Sequence, residues 1–169
     1  MNFKLLHMKI FRFLVVGVAL LLLNSCRTTT LISSESAYMS YETECLGTEL
    51  DGSQTLRAWG KGKNRADAIE QAQKNAVRDV IFKGINSGSD ECNTKPIIFE
   101  VNAQEKYEYY FNVFFADGGE YKKYVSSKDE NMTSRMVAKS NTQENWSVVV
   151  RVDRSGLRNR LINDGIIKP

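Results

Sequence analysis

The sequence predicts an α+β fold, an antiparallel sheet with helices packed on one face, in the order ββα, an aromatic helical insertion, then ββα. Three observations carry that expectation. Asp51-Gly52 separates two stretches suited to strands, which is a hairpin signal. Within 65–82, Ala66, Ile69, Ala72, Ala76, Val77, Val80 and Ile81 recur at steps of three and four, one apolar helical stripe. Residues 146–152 (WSVVVRV) form the strongest strand in the chain, and Leu157, Leu161 and Ile162 follow at helical spacing.

In chain order, the first strand is expected at 39–47. The second, 55–60, places Leu56, Ala58 and Gly60 on one face and Trp59 on the other. Asn64 is a good N-cap for the helix over 65–82, with Asp67 placed to answer it. Arg65, Glu70, Gln71, Lys74, Asn75 and Arg78 cover the wet side, and Gly84 stops the helix. Residues 86–95 read as a loop and 97–101 as a short strand. Asn102 then caps a second helix in which Tyr107, Tyr110, Phe111, Phe114 and Phe115 share a face. Tyr109 and Val113 also admit a period-two reading of the same stretch. Asp117-Gly118-Gly119 ends it, and 120–127 adds a helical turn or two carrying Tyr121 and Tyr124. A strand at 133–140, a turn at 141–145 and the strand at 146–152 follow. Asp153 or Ser155 caps the last helix, which Asp164-Gly165 ends.

The N-terminus sets the domain plan. Residues 1–12 carry Lys4, Lys9 and Arg12 and no acid, and 13–23 (FLVVGVALLLL) are unbroken apolar sequence. That run is far short of the roughly 20 residues a membrane-spanning helix needs and matches the core of a secretory signal. Met8 opens an equally good signal. Leu23-Asn24-Ser25-Cys26 then resembles the lipobox of bacterial lipoproteins, with Asn24 a less usual occupant of its position. The resemblance implies a signal peptide over 1–25 and a mature chain that begins at Cys26. Cys26 would carry a diacylglycerol and a third, palmitate-like acyl chain that hold it on the membrane. The competing reading is a secreted protein with a chance cysteine near its cleavage site. Residues 26–37 read as lipidated cysteine and flexible tether, and 38–169 as a single α+β domain. Arg27 after the cysteine, by the same resemblance, implies sorting to the outer membrane on the periplasmic route.

Removing Lys4, Lys9 and Arg12 from the 23 basic residues leaves 20 against 20 acidic ones, a neutral mature chain. Neutrality gives no electrostatic case for nucleic acid. The only histidine, His7, lies in the signal, so the mature chain lacks the commonest general base and nearly every zinc set. No catalytic constellation, metal site or cofactor is expected. Cys45 and Cys92 remain after Cys26, and an oxidising compartment favours a disulfide between them. Two separately buried thiols are the alternative.

Gly60-Lys61-Gly62-Lys63 before a helix invites comparison with a phosphate-binding loop. The dinucleotide fingerprint, however, wants an acid about 20 residues on, after a second parallel strand. Asp79 stands near that distance but inside the same helix. Gly60, Gly62 and Asn64 therefore read as a structural turn and cap, and no nucleotide is expected. The segment GKGKNRADAIEQAQKNAV, with Gly60, Gly62, Ala68, Ala72 and Ala76, together with the closing VVVRVDRSGLRNRLINDGI, resembles small envelope lipoproteins of the LPP-twenty type. It is also similar to the N-terminal domain of a flagellar basal-body assembly protein. The likeness covers 55–82 well and the last thirty or so residues loosely, leaving out the insertion at 97–125. It implies an accessory or interaction module and carries over no catalytic residue.

The expected activity is accordingly non-catalytic, a membrane-anchored module that meets an envelope protein partner. Tyr107, Tyr109, Tyr110 and Phe114 are the candidate partner face, with burial in the core as the competing assignment. Two alternatives stand beside it. One is a carboxylate-dependent hydrolase of envelope glycans drawing on Glu42, Glu44, Glu49, Asp51 and Glu105. The other is a carrier for a small apolar ligand beneath the aromatic helix.

Overall fold

The computed structural model describes residues 41–128, 135–139 and 143–169. The signal, Cys26 and the tether, residues 39 and 40 of the first expected strand, and parts of the 133–140 strand and the 141–145 turn lie outside the described residues. The elements are β1 Glu44–Thr48, β2 Gln54–Gly62, α1 Arg65–Arg78, β3 Ser87–Gly88, α2 Ala103–Lys106, α3 Glu108–Phe114, β4 Val125–Ser126, β5 Val137–Lys139, β6 Glu144–Val152 and α4 Arg154–Asn163. A π-helical turn, Asp79–Lys83, extends α1, and a 3₁₀ turn, Glu120–Tyr124, precedes β4. The α+β class stands.

β2 and β6 are the long central pair, antiparallel from Gln54↔Val152 to Gly62↔Glu144. β1 joins the free edge of β2 through the Asp51-Gly52 hairpin, where Asp51 accepts from the Ser53 amide at 2.9 Å and Gly52 takes φ 80. β4 and β5 share the other edge of β6. The loop expected at 86–95 supplies β3, which pairs parallel with β1, so the sheet is mixed rather than wholly antiparallel.

Alternation puts Leu56, Ala58 and Gly60 of β2 and Val148, Val150 and Val152 of β6 on the helix-covered face, where all the side chains are buried. Trp59 faces the other way, edge-on to Tyr41 at 5.2 Å. α1 meets the sheet through Ala68, Ala72, Ala76 and Val77, and Val80 and Ile81 prolong that face. Ala66, expected in the stripe, is exposed, because the face advances in steps of four from Ala68 and leaves Ala66 behind it. Asn75, expected on the wet side, donates to the Trp59 carbonyl at 2.8 Å.

The glycines are not a turn. Gly60 and Gly62 both lie inside β2, and the chain reverses only after them. A Cβ on Gly60 would collide with the Ala68 carbonyl oxygen and the Ala72 amide nitrogen, and one on Gly62 with the Ala68 amide. They let the backbone of α1 rest on the backbone of β2. Asn64 caps as expected: its Oδ1 accepts from the Asp67 amide at 3.0 Å and its Nδ2 donates to the Asp67 carboxylate at 2.9 Å. Gly84, with φ 79, closes the π turn through its amide and the Asp79 carbonyl.

No strand forms over 97–101. The Ile97 and Ile98 amides donate instead to the Val80 and Ile81 carbonyls, groups a helix end leaves without partners. The second expected helix is interrupted at Tyr107, and Asn102 makes no side-chain cap. Its helical period holds over the period-two alternative: Phe111, Phe114 and Phe115 are buried while Tyr109 and Val113 are exposed. Asp153, not Ser155, caps α4, accepting from the Gly156 amide at 2.8 Å, and Leu157 and Leu161 seat it in the same core. Cys45 and Cys92 form a disulfide with Cα atoms 5.9 Å apart, tying the loop after α1 to β1.

Two measurements check these constraints. Gly60→Ala should cost about 3 kcal/mol in urea unfolding, because backbone atoms cannot yield as a side chain would. Gly47→Ala, whose new Cβ meets only the tip of Glu91, should stay within about 0.5 kcal/mol. Replacing Cys45 and Cys92 together by Ala should lower stability by about 4 kcal/mol for a cross-link 47 residues apart, and reductant should then leave the variant's midpoint unchanged.

Candidate interaction surface

The insertion between Ile97 and Val125 is pinned from within by aromatic contacts. Phe111 meets Phe82 edge-on at 4.7 Å, Phe115 lies 6.0 Å from Tyr121, and Phe114 stacks on Tyr124 at 6.2 Å. Helical spacing makes this wedge, since Phe111, Phe114 and Phe115 fall on one side of α3. Polar tips then fix its position. The buried Tyr121 donates its hydroxyl to Glu70 of α1 at 2.9 Å, and Tyr110 donates to Asp164 beyond α4 at 2.6 Å. Burial, reinforced by the neighbouring Asp164 carboxylate, raises the Tyr110 phenol pKa well above its ordinary value. Lys74 pairs with Asp117 at 2.5 Å.

The outer side of the insertion is different. Val101 is 98% exposed, Tyr109 85%, Phe99 71% and Val113 55%. Of the four aromatic residues expected on a partner face, only Tyr109 is fully presented. Tyr107 and Tyr110 are half-buried, and Lys106 lies 5.0 Å over the Tyr107 ring. Phe114 is 3% exposed and belongs to the core, because it sits on the inward side of α3 with Phe111. Phe99, Val101 and Val113 were not foreseen. Val113 could have been found one helical turn from Tyr109. Phe99 and Val101 carried no such signal: alternation would set both on the side of Ile97, which is buried together with Ile98.

Two clefts flank α2. One, of about 510 Å³, lies between α1 and α3, with Phe82, Phe111 and Phe115 in its floor and Lys74, Arg78, Glu105 and Glu108 among its polar walls. Arg78 stands 5.3 Å over the Phe115 ring. The other, of about 530 Å³, is lined by Phe99, Val101, Pro96 and Glu105.

Three of the five carboxylates considered for hydrolysis have structural partners. Glu44 pairs with Arg57 at 3.0 Å, Glu49 accepts from Thr55 at 2.8 Å and faces Arg151, and Asp51 holds its own turn. Glu42 is exposed, and Glu105 stands apart from them in the insertion. Lys61 and Lys63 are exposed, and the Asp67 amide at the start of α1 is taken by Asn64. Asp79 is half-buried and accepts from the Thr43 hydroxyl. Among the described residues, no group of three or more histidine, cysteine, aspartate or glutamate side chains could hold a metal ion. No helix among them is long and apolar enough to cross a membrane.

No family model, curated protein or solved structure matches the chain.

Asp79 sets a pH dependence. Burial is the largest influence on its carboxyl and raises its pKa, against the Thr43 hydrogen bond and the nearby Lys83, which lower it. The native state thus holds this proton more tightly than the unfolded chain. Stability should fall as pH rises from the ordinary carboxylate range through the raised native pKa, and level off above it. Asp79→Asn should be more stable than wild type at neutral pH, with the difference vanishing in acid. Denaturant midpoints measured across pH check the sign.

Proposed function

We propose that this chain is a non-catalytic, lipid-anchored module of the bacterial cell envelope that docks onto a protein partner through the outer side of its aromatic insertion. One observation carries the reading: Phe99, Val101, Tyr109 and Val113 stand exposed on an insertion whose inner side is fixed by aromatic packing and two tyrosine hydrogen bonds. Exposed apolar side chains on a rigid platform lose little conformational freedom on binding. They also fit the pattern of an apolar centre with a charged rim, here Glu100, Lys106 and Glu108.

The anchor half of the proposal rests on Leu23-Asn24-Ser25-Cys26 and on the charged and apolar runs before it. At about 0.8 kcal/mol per buried methylene, two or three acyl chains on Cys26 hold the domain at the bilayer. Arg27 after the cysteine supports the outer membrane as the destination. The likeness of 55–82 to LPP-twenty lipoproteins supports an accessory role. A neutral mature chain without histidine supports a protein partner over nucleic acid, nucleotide or a metal-dependent substrate.

A photoreactive residue at Val101 should crosslink one reproducible envelope protein in intact cells, whereas the same residue at Lys63 should not. Tyr109→Ala with Val113→Ala should reduce the adduct at least tenfold while changing stability by no more than about 0.5 kcal/mol, since both side chains are exposed. Cys26→Ala should lose it by releasing the protein from the membrane. Equal labelling from both positions would sink the docking surface.

A further inference from the structure

A second site lies away from the insertion and does not depend on it. The start of α4, the hairpin turn and the disulfide loop enclose a cleft of about 420 Å³. Gln54, at the first position of β2, lines it and is 1% exposed. Its Nε2 reaches the Asn93 carbonyl at 3.4 Å, while its Oε1 has no hydrogen-bond partner among the described residues. Arg154 lines the same cleft: Nη2 donates to the Lys95 carbonyl at 2.9 Å, and Nη1 is buried without a partner. Arg158, one turn further along α4, is exposed, faces the cleft and makes no ion pair among the described residues.

These hydrogen bonds of Gln54 and Arg154 leave a buried atom of each side chain unsatisfied. Arg154, at the first position of α4, stands at the positive end of its dipole, where a cation is unfavourable, and Arg158 follows one turn on. Burial, and after it the nearby Arg158, lower the pKa of Arg154. Asp153 offsets part of this as N-cap, but its carboxylate is already committed to the Gly156 amide. A buried amide oxygen without a donor adds a further cost. All three groups are relieved together by one kind of molecule. It must offer carboxylate oxygens to the guanidinium groups and an N–H to Gln54 Oε1.

We propose that this cleft binds the carboxyl terminus of a peptide, with the terminal carboxylate on Arg154 and Arg158 and the last amide N–H on Gln54 Oε1. The planar donor pair of arginine suits a carboxylate. The volume falls in the range of small-ligand pockets. Glu91, which also lines the cleft, would repel a second carboxylate, which favours a ligand with one terminal charge.

The test is calorimetry on the mature lipidated protein in detergent micelles, using N-acetyl-Ala-Ala-Ala as probe. Saturable binding is expected, at least tenfold weaker for the C-terminal amide and for the peptide methylated at its last amide nitrogen. Arg158→Gln, at an exposed position, should weaken the free acid at least tenfold and leave the amide form unchanged. The methylated peptide reports on Gln54 without altering the protein. Tighter binding of the all-L probe assigns the site to protein C-termini. Tighter binding of a probe ending in two D-alanines assigns it to the stem peptides of the cell wall. Equal binding of acid and amide, no saturation at millimolar probe, or inorganic phosphate binding as tightly as the peptide would overturn the proposal.

Discussion

Everything in this fold hangs on one contact, the backbone of α1 resting on the backbone of β2. Gly60 and Gly62 remove the side chains that would hold helix and strand apart, and Ala68 and Ala72 present the smallest surface in return. Close packing of this kind is intolerant of added volume, since neither partner has a flexible side chain to move aside. With the helix seated so low, larger residues of β6 fill the space alongside. Trp146, opposite Gly60, packs with Ala68 and lies under the Arg65 guanidinium at 4.8 Å. Further along, where α1 gives way to its π turn, Val80 and Ile81 restore bulk and the core widens to admit the insertion.

The insertion depends on that widening. Its aromatic wedge reaches Phe82 at the end of the π turn, and its hydroxyls reach Glu70 and Asp164 on either side. Ile97 and Ile98 bring the chain in by bonding to the carbonyls that the helix end leaves free. The hydroxyls of Tyr110 and Tyr121 go in with partners, and the apolar groups left over at Phe99, Val101, Tyr109 and Val113 face solvent. The division between an inner side that is spoken for and an outer side that is not follows from the period of α3 and from the way the chain approaches it.

Much of this was legible in the sequence, and the exceptions share a cause. The hairpin at Asp51-Gly52, the caps at Asn64 and Asp153, the strand carrying Val148 and Val150, and the faces of Leu56, Ala58 and Trp59 all express local rules. So does the burial of Phe111 against the exposure of Tyr109. What escaped was set by distant neighbours. Gly60 and Gly62 look like a turn because glycine usually marks one, and only the position of α1 reveals that they are strand residues serving another element. The pattern at Ile97 to Val101 favours a strand, but the nearest unsatisfied carbonyls belong to a helix. Phe114 and Tyr110 are equivalent by period, and only the packing against Tyr124 and Asp164 separates core from rim. The arginine cleft was invisible for the same reason, since Gln54 and Arg154 are a hundred residues apart.

The position of β6 has a consequence for how the chain acquires its shape. It is the strand to which β2, β4 and β5 all attach, yet it comes after every one of them in the chain. During synthesis from the N-terminus, the hairpin and α1 exist with one long edge unpaired until residues 144–152 appear. Topologies that close only through such distant pairings fold slowly, because the loop between the partners must be ordered before any contact rewards it. A product that stops short of β6 would keep two of the sheet's three longest elements and lose its centre. The centre of the sheet is therefore completed by the last of its strands to be made.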